Sequence, residues 1–303
     1  MHSPQSLKLY QFVLLQIMLV VLIPSTYLGA FSKKGNSFKA TVIVSSQIRP
    51  YVAALNGFKH AFKKEFELLD LGKNPEFVRY TLKKEKFDLY VAIGPRATKL
   101  LWTINPEGIK LTLMVLDPES LLFGNRACGI KLRIPIEEQL SIIKMRISPK
   151  KGVGLLYTPD ENGQLVSQAI EVAGELALPV NAYPVESAPE IKKTLPELYR
   201  NCDVLLFIPD PTVISEPMVR FIIKDAIFHG VASVGYNRFF YDSGAVMAFI
   251  VDYEKVGAEA AQMAVRAIET GKCRMLAPPY EVIWNEKAWN FLQKVKGGTG
   301  GPK

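Results

Sequence analysis

Short apolar runs alternate with longer segments of helical periodicity from residue 40 to the end of the chain. Ten runs are predicted to be strands, and several, such as Val204–Ile208 and Val231–Gly235, are almost continuously apolar. Such runs are typical of parallel strands that are buried on both faces. Eight amphipathic helices are predicted between them, including Tyr51–Phe66, where Leu55 and Phe58 lie on one apolar stripe. The alternation predicts an α/β chain with parallel sheets.

The strand and helix series occurs twice. The first block spans residues 40 to about 131, and the second spans residues 150 to about 250. A predicted helix at 136–147 connects them and ends at the breaker cluster 148–152. The length of 303 residues fits about two domains. The hydrophobic fraction of 49% and the charged fraction of 22% exclude a disordered chain, a collagen and a disulfide-rich miniprotein.

Residues 1–30 have the pattern of an export signal. Lys8 is the only charge, the apolar stretch Leu9–Ile23 follows it, and small residues lead to Ala30. This order is typical of a secretory signal peptide that is cleaved after Ala30, and it predicts a periplasmic or extracytoplasmic location. Because Leu28 is a poor cleavage-site residue, a retained membrane anchor stays open, as does a buried first helix. The Gly-rich tail at 298–303 is expected to be disordered.

Charge and cysteine content argue against two further functions, nucleic-acid binding and zinc binding. The chain has 37 basic and 29 acidic side chains, and residues 33–131 hold 17 and nine of them, respectively. We do not expect nucleic-acid binding, because these basic residues are interleaved with Glu on helix faces. Cys128, Cys202 and Cys273 form no C-x-x-C pair, which argues against zinc. At most one disulfide is possible, and three buried thiols are the preferred interpretation.

The common catalytic motifs are absent from the sequence. It contains no G-x-G-x-x-G, Walker loop, G-x-S-x-G or H-E-x-x-H. Its three histidines fall in the leader, on an exposed helix face and at a helix end. We therefore expect a protein that is not an enzyme and that uses no metal or cofactor.

Polar, turn-forming segments follow six of the predicted strands. Ligands of open parallel sheets bind beyond the carboxyl ends of strands, so these segments converge on one cleft if the two sheets face each other. For each Asp or Ser in them, a helix N-cap is the alternative role. The candidate ligand-binding residues are Gln47, Tyr51, Gly94, Arg96, Asp117, Tyr157, Thr158, Asp210, Thr212, Tyr236 and Asn237.

These side chains suggest distinct contacts with a small organic ligand. The expected contacts are stacking by Tyr51, Tyr157 and Tyr236, neutralisation of a carboxylate by Arg96, pairing of an ammonium group with Asp117 or Asp210, and neutral hydrogen bonds from Thr212 and Asn237.

Several ordered motifs resemble a known family. They are Asn56-Gly57-Phe58, Asp203–Val213 (DVLLFIPDPTV), Gly235-Tyr236-Asn237 and Val251–Gly257 (VDYEKVG). The chain resembles the type I periplasmic substrate-binding proteins of ABC transporters, in the tryptophan/tyrosine-type branch. The resemblance covers nearly the whole chain after the leader, in the order of the family.

The resemblance implies two Rossmann-like lobes with parallel sheets, joined by a three-strand hinge, with ligand bound between them. The lobes are expected at 37–131 plus 252–275 and at 132–251 plus 276–297. Hinge strands are expected near Gly129–Arg133, Phe249–Asp252 and Met275–Pro279, with Gly129 and Asp252 as hinge residues. A monomer would carry a small molecule, in this family often an amino acid, to an ABC permease in the membrane.

Three other functions stay open at this point. The first alternative is a receptor module that signals to a membrane sensor. The second is an exported α/β enzyme that uses Asp117 or Asp210. The third is a degenerate binding protein that serves as an interaction partner. The basic first block suits an acidic permease surface or anionic lipid, or it is a solvated face with no partner.

Overall fold

A computed structural model describes residues 38–122 and 128–298, which form two six-stranded sheets. The predicted leader at 1–30 and residues 299–303 of the predicted tail lie outside the described residues. Gly298 is still part of the last helix, so the tail does not begin there. No helix in the described ranges is long and apolar enough to cross a membrane.

The first sheet is parallel throughout, with the strand order β11-β5-β4-β3-β1-β2. Its strands are β1 (Ala40–Val44), β2 (Glu67–Asp70), β3 (Leu89–Ile93), β4 (Ile109–Val115), β5 (Gly129–Lys131) and β11 (Met275–Leu276).

The second sheet repeats this topology, with the order β12-β10-β9-β8-β6-β7. Its strands are β6 (Val153–Tyr157), β7 (Val180–Pro184), β8 (Val204–Leu206), β9 (Ala232–Gly235), β10 (Met247–Val251) and β12 (Tyr280–Trp284). The expectation of parallel pairing fails at one edge, because β12 runs antiparallel to β10. This strand follows a short link from β11 and enters the second sheet from the opposite direction.

Helices connect the parallel strands and pack on the sheets. They are α1 (Arg49–Phe62), α2 (Pro75–Lys84), α3 (Pro95–Ile104), α4 (Ile136–Ile147), α5 (Pro159–Glu175), α6 (Ala188–Asn201), α7 (Glu216–Phe228), α8 (Arg238–Asp242), α9 (Tyr253–Thr270) and α10 (Glu286–Gly298). Six of them have proline in the first turn, where its fixed φ favours the helix and no hydrogen bond is lost.

The sequence pattern missed α2 and overextended α1. The α1 helix ends before Lys63, which has a left-handed φ of 55°, and not at Phe66. In α2 only Val78, Thr81 and Leu82 are buried. The aromatic residues of α2 point outward and break the apolar stripe that the prediction requires.

The chain passes between the two sheets three times. It leaves the first sheet after β5, returns through Asp252 between β10 and α9, and leaves again between β11 and β12. The two Rossmann-like sheets and their three connections agree with the predicted fold class. The residue boundaries of the two lobes stay a prediction.

Two glycines allow α9 to pack directly on α1. A Cβ atom on Gly57 would lie 1.9 Å from the Glu254 carbonyl oxygen, and a Cβ on Gly257 would lie 1.9 Å from the Ala54 carbonyl oxygen. Since both neighbours are backbone atoms, no side-chain rotation relieves either clash. The α9 helix, which follows the return of the chain from the second sheet, is thereby held against α1 on the first sheet.

Cys128 and Cys273 form a disulfide, with their Cα atoms 5.4 Å apart. The expectation of three buried thiols is therefore wrong for this pair, and only Cys202 is a buried free thiol. The partners are 145 residues apart in sequence, but Cys128 directly precedes β5 and Cys273 lies two residues before the neighbouring strand β11. Their proximity depends on the sheet order, which the spacing of cysteines does not reveal.

We predict that Gly257→Ala lowers the free energy of unfolding by about 1–3 kcal/mol, because α9 must move away from α1. The overpacking outweighs the gain of up to about 1 kcal/mol from the higher helix propensity of Ala. Urea unfolding measures the change. The control is Gly163→Ala on α5, where a Cβ meets nothing within 4 Å. This control should be neutral or stabilising, and equal losses in both variants would contradict the packing argument.

Loss of the disulfide should lower the free energy of unfolding by roughly 2–5 kcal/mol, since the bond closes a long loop in the unfolded chain. Unfolding of the oxidised protein is compared with that of the Cys128→Ser/Cys273→Ser variant, each with and without dithiothreitol. Reductant should destabilise only the oxidised protein. Equal stability of both proteins in the absence of reductant would argue against the bond.

Candidate functional site

The loops after β1 and β3 bring Tyr51 and Gly94 together. The ring of Tyr51, in the first turn of α1, lies against Gly94, so that a Cβ there would be 2.8 Å from two ring carbons. Burial raises the pKa of the Tyr51 hydroxyl. Gln47 from the same loop donates its Nε2–H to the Asp70 Oδ2 atom at 2.7 Å, so its amide already has a partner.

Arg96 is an exposed cation in the first turn of α3. The turn is fixed from another strand, because the Ala97 N–H donates to the Ser45 Oγ atom at 2.9 Å. Both the helix N-terminus and the guanidinium favour an anionic group at this position. Arg96 therefore has the exposure and the charge that the predicted carboxylate contact requires.

Asp117 is already neutralised by Arg133, which the sequence analysis named only as the end of an expected hinge strand. The Arg133 Nε–H donates to the Asp117 Oδ1 atom at 2.6 Å, and a second short bond joins the Arg133 guanidinium to Oδ2. Arg133 lies in the first passage between the sheets, while Asp117 follows β4. The pair ties this passage to the first sheet and occupies both carboxylate oxygens that were considered for a ligand ammonium.

Asp210 organises the loops at the carboxyl ends of β6 and β8. It is 1% exposed, and its carboxylate accepts hydrogen bonds from Thr158 N–H (2.7 Å), Thr158 Oγ1 (2.9 Å), Asn162 Nδ2 (2.9 Å) and Thr212 N–H (3.0 Å). The Thr158 and Thr212 hydroxyls also bond each other at 2.8 Å. With four donors already in place, Asp210 positions both threonines. It is neither an open ammonium site nor the N-cap of a helix at Pro211.

Tyr236 follows β9 and has a buried hydroxyl without a hydrogen-bond partner within the described ranges. Its ring packs on Phe240 at a centroid distance of 4.6 Å. Burial, and then the Asp210 carboxylate and the Tyr253 hydroxyl, raise its pKa, so the phenol is neutral at physiological pH. Tyr253 begins α9, which packs on the first sheet, so a group from the first-sheet side contributes to the raised pKa of Tyr236.

The remaining candidates lie at the ends of the same strands. Tyr157 is half-buried where β6 ends, and Asn237 caps α8 through a 3.0 Å bond from the Phe239 N–H to its Oδ1 atom. The Asn237 side-chain oxygen is thus a helix cap, a role that the sequence analysis considered only for Asp and Ser.

Sequence reasoning missed three residues of this region: Asn162, Arg133 and Tyr253. Tyr253 lies inside the quoted motif Val251–Gly257, so a signal for it was present. Asn162 and Arg133 are recognisable only from their contacts with carboxylates.

The predicted hinge residues lie at the passages between the sheets. A Cβ on Gly129 would lie 1.9 Å from the Thr112 carbonyl oxygen, so β5 accommodates no side chain there. Asp252 caps α9, because its Oδ1 atom accepts the Lys255 N–H at 3.0 Å. Its own N–H donates to the Pro279 carbonyl at 3.1 Å and joins the second passage to the third. Within the described residues, no cluster of His, Cys, Asp and Glu has the makings of a metal site.

Asp210→Asn should lower the free energy of unfolding by about 1.5–3 kcal/mol, because the new amide group faces donors and loses charge-assisted hydrogen bonds. Guanidinium unfolding measures the loss. Asp160→Asn is the matched control, since Asp160 is an exposed residue in the first turn of α5. A similar effect of both substitutions would mean that the four bonds contribute little.

Several solved structures share the fold, all at low sequence identity. The ligand-free, open structure of a substrate-binding protein with adhesive properties from Clostridium difficile is 18% identical, with a TM-score of 0.70 over 85% of this chain and 95% of that chain. An ABC domain in complex with L-Trp from Streptococcus pneumoniae is 16% identical, with a TM-score of 0.56 over 85% and 95% of the two chains. A periplasmic ribose ABC transporter structure from Conexibacter woesei is 13% identical, with a TM-score of 0.59 over 88% and 95%.

No curated protein matches the sequence. A family model described as ABC transporter substrate binding protein matches residues 81–278, which is more than half of the chain. This range contains Asp117, Asp210, Tyr236 and Tyr253, together with the strand ends on which they lie. The chain belongs to the ABC transporter substrate-binding protein family.

Proposed function

We propose that this protein captures a small organic ligand between its two lobes outside the cytoplasm and delivers it to an ABC permease. Membership of the family supports ligand capture for transport. The observation that carries the proposal within this chain is the buried Tyr236 hydroxyl, which has no partner among the described residues. A buried hydroxyl without a partner costs about 1–3 kcal/mol, and a polar group of a bound ligand removes that cost.

The charges around the strand ends suggest the polarity of the ligand. Asp210 is occupied by its four donors and makes no direct bond to an ammonium group, but its negative charge acts on Tyr236 and favours a ligand ammonium beside the phenol oxygen. Arg96, at the N-terminus of α3, offers a positive charge for a carboxylate. An amino acid carries both groups, so we propose an amino acid or a related carboxylate as the ligand class. The L-Trp complex of a structure with the same fold is compatible with this class.

Tyrosine rings provide the apolar part of the proposed site. Tyr51 and Tyr253 lie on the first-sheet side, and burial raises the pKa of both hydroxyls. In the second sheet, Tyr157 is the last residue of β6 and Tyr236 directly follows β9. Aromatic rings at these positions provide flat surfaces for an apolar side chain of the ligand, while their hydroxyls stay available for hydrogen bonds.

We propose that closure occurs about the three passages near Leu132, Asp252 and 277–279. The Leu132 N–H donates to the Val115 carbonyl at 2.8 Å on the first-sheet side. On the other side, the Tyr280 hydroxyl donates to the Glu138 Oε2 atom at 2.6 Å. Burial and then this carboxylate raise the pKa of Tyr280 to about 12, so the hydroxyl keeps its proton. Because these hydrogen bonds hold the chain on either side of the passages, motion is confined to the few residues between them. A ligand that contacts both lobes favours the closed form.

The disulfide supports the proposed location. Stable disulfides are rare in the reducing cytosol and common in the periplasm and outside the cell. The Cys128–Cys273 bond therefore agrees with the predicted export signal.

The experiment that tests the proposal is a thermal-shift screen of residues 31–303 against amino acids, organic acids, nucleosides and small peptides. A ligand at 100 times its Kd adds about 2.7 kcal/mol of stability, which raises the Tm by several degrees. We expect amino acids or related carboxylates to raise the Tm. No shift with any compound would contradict small-molecule capture and favour the interaction-partner alternative.

Tyr236→Phe separates ligand binding from stability. Removal of a buried hydroxyl without a partner should leave the ligand-free protein equally stable or more stable. It should also lower the affinity for the ligand found in the screen by about tenfold. Titration calorimetry and urea unfolding measure the two quantities. Tyr80→Phe, which changes an exposed phenol on α2, is the control and should change neither. A destabilised ligand-free Tyr236→Phe protein would mean that the hydroxyl already has a partner.

A further inference from the structure

The α2 helix presents two large aromatic side chains to solvent. Phe77 is 52% exposed and Tyr80 is 63% exposed. They lie three residues apart and therefore project from neighbouring positions on one helix face. On the other side of the helix, Val78 and Leu82 are buried in a core cluster with residues of β1, β3 and α3. The exposed rings thus contribute nothing to the core of the sheet.

Cations surround these rings. Arg79, Lys83 and Lys84 are exposed on the same helix, and in residues 38–122 and 128–298 none of them forms an ion pair. Lys73 and Lys86 flank the helix, and their ion pairs have long N···O distances of 4.0 Å and 3.7 Å. The acidic residues in the stretch 73–86 are Glu76 and Glu85, so it carries a net positive charge. The five basic and two acidic residues of this stretch give it three of the eight excess positive charges of residues 33–131, and they border apolar surface.

We propose that the outward face of α2, formed by Phe77, Arg79, Tyr80, Lys83 and Lys84, docks on an anionic lipid surface. Amphipathic aromatic rings favour the headgroup level of a bilayer, and lysine and arginine bind the phosphates of anionic lipids there. The composition favours lipid over a protein partner, because lysine is depleted from protein interfaces, whereas lysines border this aromatic pair.

The docking face does not include any candidate ligand residue. Tyr51, Arg96, Asp210 and Tyr236 lie at or after the carboxyl ends of other strands, while α2 follows the edge strand β2. Lipid docking through α2 therefore uses none of the side chains that are proposed to bind the ligand. The inference depends on a membrane in the compartment of the protein, and it does not depend on which ligand is bound.

The test is cosedimentation of residues 31–303 with vesicles of phosphatidylcholine, alone or with about 30 mol % phosphatidylglycerol. The apolar stretch 9–23 is left out because it would insert by itself. Every strand and helix of both sheets lies within 39–298, so this chain keeps the complete fold. Binding is expected only with phosphatidylglycerol, and about 1 M salt should abolish it.

Two double variants test the face itself. Lys83→Gln/Lys84→Gln should weaken the partition coefficient about fivefold for each charge removed. Phe77→Ser/Tyr80→Ser should weaken it about tenfold through the loss of apolar contact. Since all four side chains are exposed, both variants should keep the Tm of the parent protein. The control Lys193→Gln/Lys224→Gln makes the same change in net charge on the exposed surface of α6 and α7, and it should bind like the parent.

Three outcomes would overturn the proposal. The first is absence of binding to phosphatidylglycerol vesicles at low salt. The second is an equal loss in the control variant, which would mean attraction by net charge alone. The third is a dimer in sedimentation velocity that disappears in Phe77→Ser/Tyr80→Ser, because a second copy would then cover the face. Ligand-induced shifts in Tm are independent of all three outcomes, so failure here is distinguishable from failure of the proposed transport function.

Discussion

The close crossing of α1 and α9 is the contact on which the rest of the site depends. Gly57 and Gly257 bring the two helix backbones together, and neither tolerates a Cβ without a shift. The crossing fixes where the chain re-enters the first sheet after β10. It thereby fixes Asp252, which caps α9, and Tyr253, which follows it and influences Tyr236. The packing of these two helix backbones thus also sets the position of the tyrosine whose hydroxyl contributes to the raised pKa of Tyr236.

Two carboxylates show how the same residue type serves two structural purposes at the strand ends. Asp210 is buried and satisfied by neutral donors, so it orders the loops around Thr158 and Thr212 at the cost of its own desolvation. Asp117 is partly exposed and paired with Arg133, so it connects the first sheet to the passage that leads away from it. Asp210 fixes the conformation of a loop, and Asp117 fixes the start of a connection between the sheets. Both limit where the chain can bend.

The sequence pattern predicts the alternating fold because buried parallel strands are recognisable as apolar runs. It fails at α2, where Phe77 and Tyr80 face solvent, and at β12, whose antiparallel direction follows from a link of three residues. For the site, the rule on strand ends selects both Tyr236 and Asp210, and the Asp210 carboxylate contributes to the raised pKa of Tyr236. It cannot give their roles, because Arg133 and Asn162 are remote in sequence from the carboxylates that they contact. The cysteine pairing was missed for the same reason.

The disulfide also divides the chain into parts that respond differently to a pulling force. A chain pulled from its two ends can extend only outside the loop that Cys128 and Cys273 close, and the loop contains β5 to β10 and α4 to α9. With a sequence separation of 145 between the partners and about 3.5 Å per extended residue, roughly 500 Å of contour length is withheld from the pulling force. Force on the termini therefore peels β1 to β4 from one side and β11, β12 and α10 from the other. Five of the six strands of the second sheet bear no direct tension until the bond is reduced.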